Sequence, residues 1–192
     1  MPQKPTIATR SDLTMALPQS LPSARDRLLD AALELFATRG FQAIGLRDLA
    51  GHLGLHAGSL YHHIENKQSL LFELIERAFS DLLHDTQRRL KGTRNPGERL
   101  QRFIQAFARF NANEPYRLVL MTREFVSLDE AQQTKIIQLK ERYASLLSQV
   151  LEDENGHAGS APILLLILFG QSQWYSGEIS ESRLMQVVRG FR

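Results

Sequence analysis

A chain of 192 residues with 43% apolar side chains is long enough for one sizeable hydrophobic core, or for a small domain joined to a larger one. It contains no cysteine, which excludes disulfides, thiol nucleophiles and thiolate metal sites and fits a reducing, cytoplasmic compartment. The formal net charge of +2 gives little support by itself to a nucleic-acid partner. Any such function must be argued from where particular residues lie.

Residues 1–22 are rich in Pro, Thr, Ser and Gln and show no sustained period, which predicts a flexible N-terminal arm. The arm carries Lys4 and Arg10 but no continuous apolar run, so we expect neither a signal peptide nor a membrane anchor. Its two cations could contact a phosphate backbone, or the arm could contribute nothing to binding.

Three short helices are predicted between Ser23 and Asn66. Ser23 is expected to cap the first helix, whose apolar stripe ends at Gly40. The segment LRDLAGHLGLHAGSLYHHIENK, residues 46–67, then has leucines spaced to pack two helices together and Gly54 at the turn between them. This is the layout of a helix-turn-helix, whose second helix lies in a groove of DNA.

Asn66 is expected to cap a fourth helix that runs to about residue 90. Four later helices are predicted to begin at helix-start signals: Asn-Pro-Gly at 95–97, Glu-Pro at 114–115, Asp at 129 and Pro at 162. A last helix is predicted over 181–190. We find no useful alternating strand pattern and no internal repeat, so the predicted fold class is all-α. The most apolar stretch, residues 163–169, is too short to span a bilayer.

The second helix of the pair has an outward face of small, hydrogen-bonding or aromatic residues. Short side chains at positions 57–59 allow its N-terminus to approach the major groove closely, so these residues are predicted to contact bases. Arg47 is predicted to reach a base or a phosphate, although an ion pair with Asp48 or another acid is an alternative. From residue 24 to 70 five cations and five acids balance, so the position of the cations matters more than their number.

Three segments in this order resemble the tetracycline-repressor (TetR) family of bacterial transcription regulators: RLLDAALELFATRGF, LRDLAGHLGL and GSLYHHIENKQSLL. The resemblance is strong over residues 25–71 and loose beyond. It implies a three-helix DNA-binding head, a fourth helix that links the head to a ligand-binding body, and a dimer built on the last long helices. We therefore expect an arm over 1–22, a DNA-binding domain over 23–70 and a ligand-binding and dimerisation domain over 71–192.

The resemblance implies that Tyr61 and His62, on the second helix of the helix-turn-helix, contact the phosphate backbone. Lys67, which begins the fourth helix, is expected to do the same. Two positions depart from the family pattern: Gly45 stands where Ser or Thr is usual, and His56 stands where Ser is usual. Glycine is nearly as good a helix cap but offers DNA only a backbone N–H. His56 could donate to a phosphate or a base edge, or could be a poorer cap. The predicted DNA contacts are Gly45, Arg47, His56, Ala57, Gly58, Ser59, Tyr61, His62 and Lys67.

The C-terminal region carries large apolar residues at helical spacing, which pack in a core more often than they line a cavity. Polar residues interrupt this surface at Arg123, Glu124, Gln171 and Gln173, and we expect them either to orient a ligand in an apolar pocket or to satisfy one another at an interface. The predicted ligand contacts are Phe103, Phe107, Met121, Glu124, Phe125, Tyr143, Gln171 and Trp174.

Two further segments, MTREFVSLDEAQ and WYSGEIS, are similar to a branch of the family that responds to acyl-CoA thioesters. That similarity implies a long apolar pocket for the acyl chain. It also implies basic residues near the CoA phosphates, such as Arg123, Lys140 or Arg142. A small apolar effector or an acyl-CoA thioester is therefore expected, and no cofactor.

His52, His56, His62 and His63 are close in sequence, but no carboxylate or thiolate is spaced to complete a metal site with them. Nor is there a Ser/His/Asp order or a glycine-rich phosphate loop, so we predict no metal and no enzyme activity. The resulting hypothesis is a homodimeric repressor that binds a palindromic operator and is released by its ligand, without a membrane partner. The alternatives are an activator or architectural DNA-binding protein, and a helical ligand carrier or enzyme whose DNA head has lost its function.

Overall fold

The computed structural model of the protein describes residues 23–62, 64–155, 158–174, 182–184 and 186. Every regular element in these ranges is helical, which confirms the predicted all-α class. The predicted arm over 1–22 and most of the predicted last helix over 181–190 lie outside the described residues. The elements are α1 (Ala24–Arg39), α2 (Leu46–Leu53), α3 (Ala57–Leu60), α4 (Lys67–Leu90), α5 (Pro96–Asn113), α6 (Pro115–Arg123), a 3₁₀ turn (Glu124–Ser127), α7 (Glu130–Asn155), a 3₁₀ turn (Ala158–Ser160) and α8 (Ala161–Trp174).

The helix boundaries follow capping residues that the sequence displays. Ser23 accepts a hydrogen bond from the backbone N–H of Asp26, whose carboxylate in turn accepts from the Ser23 N–H, so α1 begins with a reciprocal capping box. Asn66 and Asn95 cap α4 and α5, each accepting from an N–H three residues on. Gly54 ends α2 with a φ of +66°, a left-handed conformation in which an L side chain would be strained.

The second helix of the helix-turn-helix, which we call the recognition helix, is shorter than the sequence pattern indicates. Regular α-helix covers only Ala57–Leu60, and residues 61 and 62 continue as a turn in which the Ile64 N–H donates to the Leu60 carbonyl oxygen. Gly58 is a poor helix former, and the chain must change direction before the cap of α4 at Asn66. Tyr61 therefore lies in a turn that follows the helix rather than within it.

One buried core extends from the head into the body. In the head, buried Leu49 and Ala50 of α2 and Leu60 of α3 pack together. Helix α4 contacts α1 in the head and α5, α6 and α7 in the body. The predicted boundary between residues 70 and 71 thus falls inside one continuous helix. None of the helices in the described part of the chain has the length and apolar character needed to cross a membrane.

Candidate functional site

The first turn of α2 is held by its own aspartate. Gly45 is extended, with φ at −96°, and its N–H donates to the Asp48 carboxylate over 2.7 Å. Asp48 thus serves the helix start, and within the described ranges Arg47 makes no ion pair with it or with any other acid. The exposed Arg47 guanidinium is available to a base or a phosphate, and its contact with DNA remains a prediction.

The predicted recognition face is open to solvent. His56, Gly58 and His62 are exposed, Tyr61 is 61% exposed and Ser59 is half-buried, whereas the Ala57 side chain lies outside the description. A large aromatic ring that is exposed to this extent gains little from burial in the fold, so its placement is suited to contact with another molecule. The DNA contacts of these residues and of Gly45 remain predictions.

Lys67 has a partner that sequence reasoning missed. Its ammonium donates to the carbonyl oxygens of Phe41 and Ile44, each over 2.9 Å, and lies 4.1 Å from the centroid of the Phe41 ring. The surrounding protein lowers the pKa of this half-buried ammonium by desolvation, which the nearby Glu124 charge partly offsets. Lys67 therefore fixes the connection between α1 and α2. Its predicted phosphate contact would have to use the one remaining N–H.

Arg123 and Glu124 join the body to the head, and we call this pair the latch. The Arg123 guanidinium donates to the carbonyl oxygens of Phe36 and Ala37, at the C-terminal end of α1, over 2.7 and 2.9 Å. The buried Glu124 carboxylate accepts from the Phe41 N–H over 3.3 Å and from the Arg123 Nε over 2.9 Å. Of the two roles predicted for these residues, the structure shows the interface. Glu124 does not lie in the wall of the cavity described next, contrary to its predicted place beside a ligand.

The body contains a cavity of about 540 Å³ between α4, α6, α7 and α8. This volume is within the range of small-molecule pockets. The cavity wall is predominantly apolar. Its lining residues are Phe79, Met121, Thr122, Lys140, Glu141, Tyr143, Ala144, Pro162, Leu165, Leu166, Phe169 and Gly170.

Two of the eight predicted ligand contacts, Met121 and Tyr143, lie in this wall. Phe103 and Phe107 are completely buried behind it, with ring centroids 4.9 Å from Tyr143 and 5.1 Å from Phe169 respectively. These two phenylalanines are therefore core residues that support the wall, which corrects their predicted direct contact. The side chains of Gln171, Gln173 and Trp174 lie outside the description. Phe79 and the α8 residues were missed because only the packing of distant helices brings them together.

Lys140 is the one cation in the described cavity wall. Its ammonium lies 3.6 Å from the centroid of the half-buried Phe125 ring, and desolvation lowers the pKa of the amine. Of the other cations expected near CoA phosphates, Arg123 belongs to the latch and Arg142 is exposed outside the cavity wall.

Tyr143 also lines this wall, but its hydroxyl is buried and has no hydrogen bond of good geometry among the described residues. Burial raises the pKa of the phenol, an effect that the nearby Thr86 hydroxyl offsets only in part. Thr86 donates its own proton to the Leu82 carbonyl oxygen over 2.7 Å, so it does not supply the phenol with a donor. The Tyr143 hydroxyl is therefore buried close to Thr86 and Asp85 of α4, neither of which lines the cavity.

Across the described ranges no three His, Asp or Glu side chains come together as a metal site would require. His63, one of the four histidines considered above, is outside those ranges.

Two family models match most of the chain. The model for bacterial regulatory proteins of the tetR family matches residues 28–74, and the model for the tetracyclin repressor-like C-terminal domain matches residues 93–177. Among curated proteins, the chain is 42% identical over 85 residues to the HTH-type transcriptional repressor KstR2 of Mycobacterium tuberculosis (strain ATCC 25618 / H37Rv). That match covers 44% of this chain and 42% of KstR2, so it extends over less than half of the relative.

Solved structures share the fold over nearly the whole chain. The TetR family transcriptional regulator PfmR from Thermus thermophilus superposes with a TM-score of 0.75 at 29% identity, covering 86% of this chain and 94% of PfmR. AibR in complex with isovaleryl coenzyme A and operator DNA superposes with a TM-score of 0.76, covering 87% of this chain and 96% of AibR. At 18% identity, this second likeness is one of fold alone.

Proposed function

Since the chain belongs to the TetR family of bacterial regulatory proteins, we propose that it is a ligand-responsive repressor that binds a palindromic operator as a homodimer. Membership of a family of regulators also confirms the prediction that the protein is not an enzyme. The observation that carries the proposal is the connection of an exposed helix-turn-helix head, through the latch, to a helix that lines an apolar cavity.

The path from cavity to head is short. Met121 and Thr122 line the cavity on α6, and the next two residues are the latch that holds the end of α1. Helix α4 offers a parallel path, because Phe79 lines the cavity while Lys67, at the start of the same helix, holds the connection between α1 and α2. A ligand that favours a different placement of α6 or α4 would change the orientation of the head. The change in operator affinity is limited to the ligand's difference in affinity for the two states.

The proposed effector is a small apolar molecule or an acyl-CoA thioester. The mainly apolar wall and the cavity volume support a hydrocarbon ligand. The structure of AibR in complex with isovaleryl coenzyme A and operator DNA supports the thioester and the DNA as partners of proteins with this fold.

We further propose that the dimer forms through the C-terminal helices. Helix α8 is strongly apolar, yet Ile163 is 51% exposed and Leu166 is 74% exposed. Apolar side chains at this spacing gain from a second copy that covers them. A two-fold axis beside α8 would relate the recognition helices of the two copies. The pair could then read a palindrome in successive major grooves.

Two alternatives keep specific support. Contacts in a DNA groove do not determine the sign of regulation, so an activator would present the same head. A helical ligand carrier with an inactive head is favoured by the missing hydroxyl at Gly45 and by the balanced charge of the head. Both alternatives are addressed by measuring DNA binding first and transcription from the selected site second.

The experiment that tests the proposal is selection of bound DNA from a random duplex pool at defined salt. The winning sequence is then titrated against a scrambled one. We expect a palindrome that is preferred by about a thousandfold or more. Absence of any preference would refute the repressor and leave a ligand carrier or a protein that associates with DNA nonspecifically.

Replacement of Arg47 by alanine should weaken binding to the selected operator by about tenfold, because an exposed guanidinium that has no acid partner among the described residues is free to contact DNA. The salt slope is the slope of the logarithm of the binding constant against the logarithm of the salt concentration. If its magnitude falls by about one, Arg47 contacts a phosphate, and if it is unchanged while sequence specificity is relaxed, Arg47 contacts a base. The matched control is Arg94→Ala. Arg94 is also exposed, but it follows the far end of α4, roughly 36 Å from the head by the rise of a 24-residue helix. Equal affinity of both variants would contradict the assignment.

A further inference from the structure

We propose that the effector carries an anionic group, that this group lies against Lys140, and that its hydrocarbon part fills the cavity. The inference rests on the proposed ligand-responsive function and narrows the class of ligand. It makes Lys140 the residue that distinguishes anionic amphiphiles from neutral molecules of the same size.

The environment of the ammonium is the first argument. Lys140 is half-buried, and its charge faces the rings of Phe125 and Phe79, with centroids at 3.6 and 5.7 Å. It makes no hydrogen bond and no ion pair with any described residue. A cation–π contact repays only part of the cost of removing an ammonium from water, so an anion in the cavity would gain a partner that is already desolvated.

Two other described lysines lie over aromatic rings, and comparison with them shows that the situation of Lys140 differs from theirs. The ammonium of Lys67 is also desolvated, but two backbone carbonyl oxygens accept its protons. Lys135 lies over the ring of Phe72 at 5.4 Å, but it is exposed and outside the cavity wall. Lys140 alone of these three combines a position in the cavity with a charge that no oxygen of the described residues neutralises.

The other polar groups of the wall do not compete for the same role. The Thr122 hydroxyl donates to the carbonyl oxygen of Leu118 over 2.9 Å. Glu141 is exposed and does not come within ion-pair distance of Lys140. The Tyr143 hydroxyl is buried close to Thr86, which does not line the cavity, so it is not presented to the ligand. Among its described residues the wall therefore offers one positive charge to a mainly apolar ligand.

A carboxylate and a CoA phosphate would both satisfy Lys140, and the test separates them. Straight-chain acids from hexanoate to palmitate and the steroid acid deoxycholate are compared with their methyl esters and with the matching acyl-CoA thioesters. Binding is measured by calorimetry and by the shift of the thermal midpoint, with the unchanged chain, the Lys140→Met variant and the Lys135→Met control. Methionine keeps the apolar stem of lysine and removes the charge.

We expect at least one acid or thioester to bind the unchanged chain about tenfold or more tightly than its neutral ester, as a charge-assisted contact would give. Lys140→Met should lose that preference while it binds the ester as before, and Lys135→Met should keep it. If the acids are preferred, the anion is a carboxylate, and if only thioesters are preferred, it belongs to CoA. An unchanged preference in Lys140→Met, equal binding of every ligand and its ester, or no binding across the series would overturn the inference.

Operator binding is measured with the same ligands as a separate readout. A ligand that depends on Lys140 but changes operator affinity by less than about threefold would leave the inference standing and refute the ligand-responsive repressor. Release of the operator by a neutral ester, to the same extent in the unchanged chain and in Lys140→Met, would refute the inference and leave the ligand-responsive repressor standing.

Discussion

We expect Glu124→Ala to lower the free energy of unfolding by about 2–3 kcal/mol. The substitution removes a buried carboxylate that accepts hydrogen bonds from the Phe41 N–H, the Arg123 Nε and the Ser127 hydroxyl. Donors that lose a charged acceptor in a buried site cost about this much when they are left unpaired. The measurement is urea unfolding of the purified chain.

The matched control is Glu152→Ala. Glu152 is an exposed glutamate on α7 that makes no ion pair within the described ranges, so its loss should change stability by no more than about 0.5 kcal/mol. The conservative variant Glu124→Gln keeps an oxygen for the Phe41 N–H and should fall between the two. Equal stability of Glu124→Ala and Glu152→Ala would show that the Glu124 carboxylate contributes nothing to the stability of the fold.

The latch has a second expected consequence, for regulation. If α6 transmits the state of the cavity to α1, then Glu124→Ala should keep its ligand affinity but show a smaller effect of ligand on operator affinity. That combination distinguishes a coupling residue from a ligand contact, because a ligand contact would lose affinity for the ligand itself.

The helix boundaries were predictable because capping is local. Ser23, Gly54 and Asn66 each act on N–H or carbonyl groups within four residues along the chain, so the sequence displays both partners together. The length of α3 was not predictable in the same way. A single turn followed by Tyr61 satisfies the same apolar pattern as a longer helix, and tertiary packing decides between them.

The site residues were harder to predict because their partners are distant in sequence. The Glu124 carboxylate meets an N–H that is 83 positions earlier, so no local pattern distinguishes it from a residue that orients a ligand. Phe103 and Met121 likewise have the same apolar character, and only the arrangement of the helices makes one a core residue and the other part of the cavity wall. Periodicity identifies a buried face, but it does not show whether a neighbouring helix or a cavity lies against that face.

Lys67→Met should lower the free energy of unfolding by about 2–3 kcal/mol, since it removes two charge-assisted hydrogen bonds to the carbonyl oxygens of Phe41 and Ile44. It should also weaken operator binding, because the connection it holds sets the start of α2. The salt dependence of that binding should remain as in the unchanged chain if Lys67 acts through the fold alone. Unfolding and salt titration are therefore both measured.

The two roles of Lys67 predict opposite pairs of results. A lysine whose main role is to contact a phosphate would leave stability unchanged and reduce the salt slope by about one, the result that is possible for Arg47→Ala. A lysine that mainly holds the connection between α1 and α2 would give the loss of stability and leave the salt slope unchanged. The control Lys91→Met removes an exposed charge just beyond the end of α4 and should change neither quantity. Because both hydrogen bonds of Lys67 end on backbone oxygens of one connection, we expect the second pair of results.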